Sequence, residues 1–469
     1  MELKDEIKII GNPKYIKLAD DCDFFKLFRV IEEQSKNCFL FESLGEGRKV
    51  SRYFVIGFDP CKIISALDSV TLCIEDLKKG DIRYCKTDNP YYSMRELMPP
   101  TVVSRKYAGG LVGYVGYDAV NYFESGLKIK QHKNFEPFKL GVYLDGIVYD
   151  QVTGEIFYFY YGNSRFDKIK RYIKKKPRDY GKTKIRYLGE SKTRKEHCDS
   201  VLFVKEEISA GRVFQCEVGF KSLYEIEGDT LAIYSRLRNE NPSPHMYYIK
   251  FGEQKILGAS PELLFRLRNG EMETYPLAGT AGRNSNPLED RRLGRTLLND
   301  PKELAEHKML VDLHRNDLGR VARFGSVKIR NLLDLRKFTH VQHISSEIAG
   351  LIANSEDMFS ALAASFPAGT LTGAPKIEAM KLINELEEEG RGPYGGAVGQ
   401  FSFNGDCAFA IPIRSLFIKG SQAYVQTCGG IVYDSQPEDE YLEIRRKFAA
   451  MGNVLKYFFT EKEHECTDY

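Results

Sequence analysis

The chain has 469 residues, 42% hydrophobic and 28% charged, which excludes a disordered chain, a collagen-like chain and a coiled-coil rod. Lys plus Arg number 68 and Asp plus Glu 65, so the net charge is +3, and neither nucleic acid nor an anionic membrane is implied as a partner. At roughly 150 residues per domain the length allows about three units, or one or two larger interlocked ones.

In chain order, residues 39–44, 52–58, 62–67 and 69–74 are short apolar or alternating runs between turn residues, and each predicts a strand. The closely spaced glycines of GGLVGYVGYD (109–118) predict strands or turns where backbones approach each other. EIFYFYYG (155–162) predicts another strand, and the basic, Pro- and Gly-containing 174–184 reads as a solvated linker. Val201, Val204 and Ile208 have helical spacing, with Gly211 as a terminating glycine, and VFQCEVGF (213–220) then predicts a strand. A long helix is expected from Leu293 through residue 322, then two more at SSEIAGLI and DMFSALAASF, and another within 367–389. GGAVGQFSF, AFAIPIRSLFI and AYVQTCGGIVY predict three strands, and 437–459 an amphipathic helix. Strands mixed with helices, without strict βαβ alternation, point to an α+β fold.

The ten cysteines contain no C-x-x-C pair, so a zinc ribbon or thioredoxin-type motif is not expected. The N-terminus has no apolar signal region, and no apolar run nears the ~18 residues of a membrane span. The expectation is a soluble, cytoplasmic protein with free thiols. Gly390-Arg-Gly392-Pro-Tyr-Gly395 spells G-x-G-x-x-G but follows a Glu-rich helix instead of a strand, the wrong context for a dinucleotide. GTLTGAPK (369–376) resembles a phosphate loop, but Pro375 precedes Lys376 and no Ser or Thr follows it. His340 and His343 are three apart in a strand-like run, a weak metal pattern.

Glu303 and Glu306 lie three apart, as do Glu440 and Glu443, so on helices each pair shares a face. Two such faces opposed would make an all-oxygen site suited to Mg²⁺. Glu385 and Glu388 share the spacing and read as a solvated face, so spacing alone is a poor signal. PLAGT (276–280), GTLTGAPK, YGGAVG (394–399), Arg414 and CGG (428–430) add backbone amides, hydroxyls and cations of the kind that bind a small polycarboxylate. Glu262, after a proline in a strand-like setting, would act as a general acid if buried near other acids.

PLAGT, LNDPKELAEHKMLVDLHRNDLGRV, HVQHISSEIAG, FPAGTLTGAPKIEAM, RGPYGGAVG, IPIRS and GGIVYDSQPEDEYLE occur in the order seen in chorismate-utilising enzymes. The chain resembles that family, and within it anthranilate synthase component I, densely over residues 195–455 and more thinly toward the N-terminus. The resemblance implies large antiparallel sheets packed together with helices outside. It also implies a lyase reaction in which chorismate, Mg²⁺ and ammonia give anthranilate and pyruvate. By position, Glu306 and Glu443 match direct metal ligands, and Glu303 and Glu440 the second pair that holds metal-bound waters. Glu262 matches the general acid for the departing hydroxyl, and His343 the histidine of pyruvate elimination. Arg414 and Tyr394 match residues gripping the enolpyruvyl carboxylate, while Thr280, Thr370, Lys376, Gly429 and Gly430 complete the implied pocket.

Related aminodeoxychorismate synthases usually carry Lys where this chain has Ala278, and isochorismate and salicylate synthases carry a Lys base near Gln215. Both positions favour anthranilate synthesis over the alternatives, an aminodeoxychorismate synthase component or a non-catalytic chorismate- or tryptophan-binding paralogue. The chain lacks a glutaminase signature, so the resemblance implies a separate glutamine amidotransferase subunit and a hetero-oligomer, such as a heterotetramer. FLFES and NPSPHM resemble a tryptophan feedback site, implying Glu42, Ser43, Asn241, Pro242, Ser243, Pro244 and Met246 as its residues. His245 and Phe41 depart from the usual residues there, and Cys428 puts a side chain where a glycine is usual. The expected organisation is residues 1–185 carrying the regulatory site, interlocked with a chorismate-binding region, 186–469.

Overall fold

The computed structural model describes residues 3, 6–19, 22–45, 51–337 and 341–459. His340 and Cys466 therefore lie outside the described residues, and no disulfide joins the described cysteines. The described residues form an α+β fold built on two antiparallel sheets of twelve strands each.

The first sheet runs Lys14–Lys17, Glu155–Tyr160, Asp145–Asp150, Tyr53–Phe58, Asn37–Glu42, His245–Phe251, Gln254–Ser260, Ser415–Lys419, Gln422–Ile431, Gln215–Gly228, Thr183–Glu190, with Gly373–Ala374 added to Gln215–Gly228. The second runs Leu277–Gly282, Val341–Leu351, Glu271–Thr274, Leu263–Arg268, Cys407–Ala410, Ala397–Ser402, Gly110–Val115, Phe138–Tyr143, Lys62–Ala66, Thr71–Asp76, Asp81–Lys86, with Lys328–Lys337 added to Val341–Leu351. Strands from both sides of residue 185 enter both sheets.

The period of two along a strand sorts residues between two cores. Phe39, Val55, Val148, Tyr247 and Ile249 join residues of the second sheet, such as Leu111 and Leu140, in the core between the sheets. Their neighbours Cys38, Leu40, Ile56, Ile147 and Tyr248 turn to the other face. There they meet the helix Phe24–Gln34 and the helix Pro437–Lys456, through Phe28, Ile31, Ile444 and Phe448.

Four expectations need correction. SSEIAGLI is not a helix but part of the strand Val341–Leu351, which hydrogen-bonds three other strands and is buried along most of its length. The long helix after Leu293 is two helices, Pro287–Leu297 and Pro301–Gly319, because Asp300 caps the second and Pro301 begins it. AFAIPIRSLFI is not one strand. Cys407–Ala410 lies in the second sheet and Ser415–Lys419 in the first, and Pro412, which lacks an N–H, sits in the crossing between them. The helices Phe24–Gln34 and Pro90–Leu97 interrupt a stretch that reads as rich in short strands, and the helix Phe166–Lys174 takes in the first residue of the segment that reads as a linker.

Candidate active site

Two crossings between the sheets lie side by side. One joins Ser260 to Leu263 and carries Glu262, and the other joins Ala410 to Ser415 and carries Arg414. They are stitched together by Ile411 N–H to Glu262 C=O at 3.1 Å and Ala259 N–H to Arg414 C=O at 3.3 Å. Glu262 is buried, and loss of water pushes its carboxyl up to about 8. The Thr370 hydroxyl, donating at 3.2 Å, opposes that shift, the Glu217 carboxyl adds to it, and the Arg414 guanidinium opposes it. Arg414 has φ 50°, a left-handed conformation that costs a non-glycine residue about 1 kcal/mol or more. Its guanidinium is partly buried and makes no hydrogen bond or ion pair with the described residues. A desolvated cation of that kind is stabilised by an anion brought to it.

His343 comes from the buried strand Val341–Leu351. Its Nδ1 lies 2.7 Å from Gly279 C=O and 3.1 Å from the Thr280 hydroxyl. A carbonyl only accepts, so Nδ1 carries the proton and Nε2 is the basic nitrogen. Burial lowers the ring to about 4, helped by the Arg414 charge and opposed by the Gly279 carbonyl, so the imidazole is neutral near pH 7.

Glu303 and Glu306 lie on Pro301–Gly319, which starts with Asp300 accepting from Lys302 and Glu303 N–H. Glu440 and Glu443 lie on the first two turns of Pro437–Lys456. Burial, reinforced by neighbouring carboxylates, raises Glu303, Glu306 and Glu440 above the usual range. Burial also acts on Glu443, but the Lys447 ammonium at 2.7 Å outweighs it and lowers that carboxyl. Glycines face both pairs. A Cβ at Gly279 would lie 2.8 Å from Glu303 Oε2, and one at Gly429 would lie 3.3 Å from Glu440 Oε2. Among the described residues no three His, Cys, Asp or Glu side chains converge to metal-ligand range. The donor set fits Mg²⁺ in kind, being four carboxylates of which Lys447 pairs with one.

Other pocket residues are placed as follows. Tyr394 is buried, and its hydroxyl donates to Cys428 Sγ at 3.1 Å. Lys376 is drawn into an ion pair with Asp317 at 2.8 Å, so its charge is already matched. Gly430 sits opposite Glu217 in the first sheet. Residues 390–395 form turns leading into the strand Ala397–Ser402, with no helix to receive a phosphate.

Three residues escape sequence reading. Glu217 is buried, accepts from Cys428 Sγ at 3.2 Å and from Gln215 Nε2 at 3.3 Å, and is pushed up to about 7. Burial is the main cause, with Lys447 and Cys428 opposing it and Glu306 and Glu443 adding to it. Its signal was a lone acid in the apolar run VFQCEVGF. Arg391 is 1% exposed and pairs with Glu387. Its guanidinium also donates to Leu371 C=O at 2.6 Å and Glu217 C=O at 3.0 Å, fixing the segment that bears Thr370 against the strand that bears Glu217. Lys447 donates to Cys428 C=O at 3.0 Å as well as to Glu443. Its signal was a cation four residues after Glu443.

Away from this site, Glu42 is buried in a bidentate pair with Arg238 (2.9 and 3.0 Å) and accepts from Tyr234 at 3.1 Å. Met246 pairs with Glu42 in the sheet. A cavity between the two sheets is lined by Glu42, Pro244, His245 and Met246 from one side and by Arg266 and Phe409 from the other. Ser43, Asn241, Pro242 and Ser243 stand beside it in the chain. Leu44 N–H donates to Ser243 C=O at 2.9 Å, and the Asn241 side chain donates to Ala450 C=O at 2.7 Å.

A family model described as "chorismate binding enzyme" matches residues 36–453. A protein of Leptospira biflexa named anthranilate synthase component 1 is 49% identical over 96% of this chain and 97% of its own length. One of the same name from Methanothermobacter thermautotrophicus is 41% identical over 91% of each chain. The crystal structure of anthranilate synthase component I from Streptococcus pneumoniae superposes with a TM-score of 0.77 at 31% identity, over 86% of this chain and 92% of that one. The menaquinone-specific isochorismate synthase of Escherichia coli shares the fold at a TM-score of 0.73 and 18% identity, over 97% of each chain.

Proposed function

Because the chain belongs to the chorismate binding enzymes, we propose that it is the aminating component of an anthranilate synthase, converting chorismate and ammonia to anthranilate and pyruvate at the entry to tryptophan biosynthesis. The observation that carries this reading is the buried Glu262 carboxyl, pushed up to about 8 by loss of water, beside an Arg414 guanidinium that makes no hydrogen bond or ion pair with the described residues.

Arg414 takes the enolpyruvyl carboxylate, which a planar guanidinium grips through two parallel hydrogen bonds. Tyr394 is the second residue of that grip, its hydroxyl leaving Cys428 Sγ for the carboxylate. The ring carboxylate lies toward Glu303, Glu306, Glu440 and Glu443, and Mg²⁺ bound there supplies the positive charge that lets five carboxylates share one region. Ammonia adds to C2, the ring double bonds shift, and the C4 hydroxyl departs as water with the Glu262 proton. Hydroxide is a poor leaving group, so this proton is needed. His343, neutral and held by Gly279 C=O, then moves the C2 proton as pyruvate is eliminated.

Ala278 is buried and paired with Ile344, and it offers no amine to attack C2, which favours direct addition of ammonia. The Gln215 amide is no base, so water is not activated there. The ammonia comes from glutamine through a separate amidotransferase subunit in a hetero-oligomer, and free ammonia substitutes for it at high pH. L-Tryptophan binds the cavity lined by Glu42, Pro244 and Met246 and inhibits. No helix among the described residues is long and apolar enough to cross a membrane, and the thiols suit a reducing cytoplasm.

The test is a mixture of purified chain, chorismate, Mg²⁺ and concentrated ammonium at mildly alkaline pH, with products identified by mass and fluorescence. Anthranilate with pyruvate is the expected outcome. A 4-amino-4-deoxychorismate product would move the chain to the other aminating branch, and no turnover would sink the enzyme reading.

A further inference from the structure

The cavity between the sheets has a volume of about 180 Å³, against the ~10–15 Å³ that a single water requires, so it has room for a small organic molecule. His245 lines it from the first sheet, with Pro244 and Met246 beside it in the chain and Leu263, Phe409 and Ala410 from the second sheet. Those five neighbours are apolar. Glu42 and Arg266 also reach the cavity, but each is already matched, by Arg238 and by Glu273. His245 is not. Its Nε2 is buried and has no hydrogen-bond partner among the described residues. Burial, helped by the Arg266 and Arg336 charges, lowers the ring to about 3, so the imidazole is neutral and keeps one bare, accepting nitrogen. A buried polar atom without a partner is a cost that an incoming hydrogen bond removes.

The Tyr53 hydroxyl lines the same cavity and is likewise buried with no partner among the described residues. Tyr53 begins the strand Tyr53–Phe58, and His245 begins the strand His245–Phe251. Asn37–Glu42 lies between these strands, antiparallel to both. The two residues therefore stand at one end of the sheet, two strand spacings or ~10 Å apart. The exposed Arg268 also lines the cavity, and its charge acts on Tyr53. A hydroxyl with a guanidinium close by suits a carboxylate. Apolar walls with one accepting nitrogen suit a ring that is apolar except for one N–H.

We propose that His245 sets the selectivity of this cavity, its bare nitrogen accepting the ring N–H of an indole amino acid whose carboxylate lies toward Tyr53 and Arg268. This rests on the tryptophan reading of the cavity given above. The requirement on the ligand is narrow: a flat apolar ring with one N–H, joined to an anionic head. A ring of the same shape without the N–H would cover the imidazole nitrogen and leave it unpaired, and a site built to take an N–H discriminates against such an analogue.

Titration calorimetry on the full chain compares L-tryptophan with benzothienyl-L-alanine, in which sulfur replaces the indole N–H, for wild type, H245F, H245A and H245Q. Wild type is expected to bind tryptophan about 10-fold or more tightly than the sulfur analogue, the scale of one buried hydrogen bond. H245F is expected to bind the two ligands within about twofold of each other, through weaker binding of tryptophan. H245Q, whose amide oxygen can accept the N–H, keeps part of the preference. H245A removes the ring altogether and decides the matter if H245F does not fold. Equal binding of the two ligands by wild type, or the wild-type preference kept in H245F or H245A, would overturn the role of His245 and leave tryptophan as the ligand. No tryptophan binding by wild type would overturn the reading of the cavity on which this inference rests.

Discussion

Burial pushes the Glu262 carboxyl up to about 8, and that shift predicts both a rate and a stability. The Glu262→Gln variant should lose about 10²- to 10⁴-fold in kcat while retaining chorismate binding, as measured by turnover and by titration calorimetry. An unchanged kcat would remove Glu262 from the acid role. The folded-state value lies above the ordinary 4.5, so this group's stabilising contribution is whole below pH 4.5 and is lost as pH rises toward 8. Gln cannot ionise. Its variant should therefore match wild type in Tm near pH 5 and exceed it at pH 9. An equal difference at both pH values would show that the carboxyl is not buried as neutral acid. Arg414 shows the converse at the same scale, a strained and desolvated cation that makes no hydrogen bond or ion pair with the described residues.

At the scale of elements, the two acidic helices are defined by their starts. Asp300 caps and Pro301 begins one, and Pro437 begins the other with Glu438, Asp439 and Glu440 in its first turn. Acidic residues there interact favourably with the helix dipole, so Glu303 and Glu440 are partly stabilised by the helices that carry them. The strands opposite supply glycine where the carboxylates approach. Gly279 has φ +67°, and a Cβ there would meet Glu303 Oε2 at 2.8 Å. Gly279→Ala should cost about 1–2 kcal/mol in urea unfolding, from left-handed strain plus the clash. It should also raise the Mg²⁺ concentration needed for half-maximal activity, because Glu303 must move. Wild-type Mg²⁺ dependence in this variant would show that Glu303 has no role in holding the ion.

At the scale of the whole molecule, the chain interleaves. The first sheet joins Asn37–Glu42 to His245–Phe251, and the second joins Gly110–Val115 to Ala397–Ser402. Neither portion of the chain flanking residue 185 builds a sheet by itself. Cleavage at the exposed lysines 174–176 should therefore leave one co-eluting species that melts in a single transition. Fragments that separate on size exclusion without denaturant would contradict this. The same interleaving links the cavity at Glu42 and Met246 to the site. The strand His245–Phe251 lines that cavity and pairs with Gln254–Ser260, which leads directly into Glu262.

Local pattern made much of this protein legible. Alternating runs such as residues 52–58 became strands, and E-x-x-E spacing fell on helices, because both depend on neighbours in the chain. The ordered motifs likewise carried the family resemblance, since they are contiguous in sequence. SSEIAGLI was misread because its residues suit a helix locally, whereas three flanking strands offer its backbone hydrogen bonds that no local pattern reveals. Ordinary i,i+3 spacing could not separate Glu303 and Glu306 from the solvated Glu385 and Glu388, because burial is not a property of spacing. Glu217 stands alone in an apolar run and Arg391 between two glycines, and nothing local singles either out. Their roles depend on Gly430, Cys428, Leu371 and Glu387, brought together by strand pairing and helix packing. Sequence alone shows which side chains are available and, where the local pattern is strong, which fall on helices or strands. Which carboxyls lose their water is settled by long-range packing, and desolvation is what turns an ordinary glutamate into an acid near neutral pH.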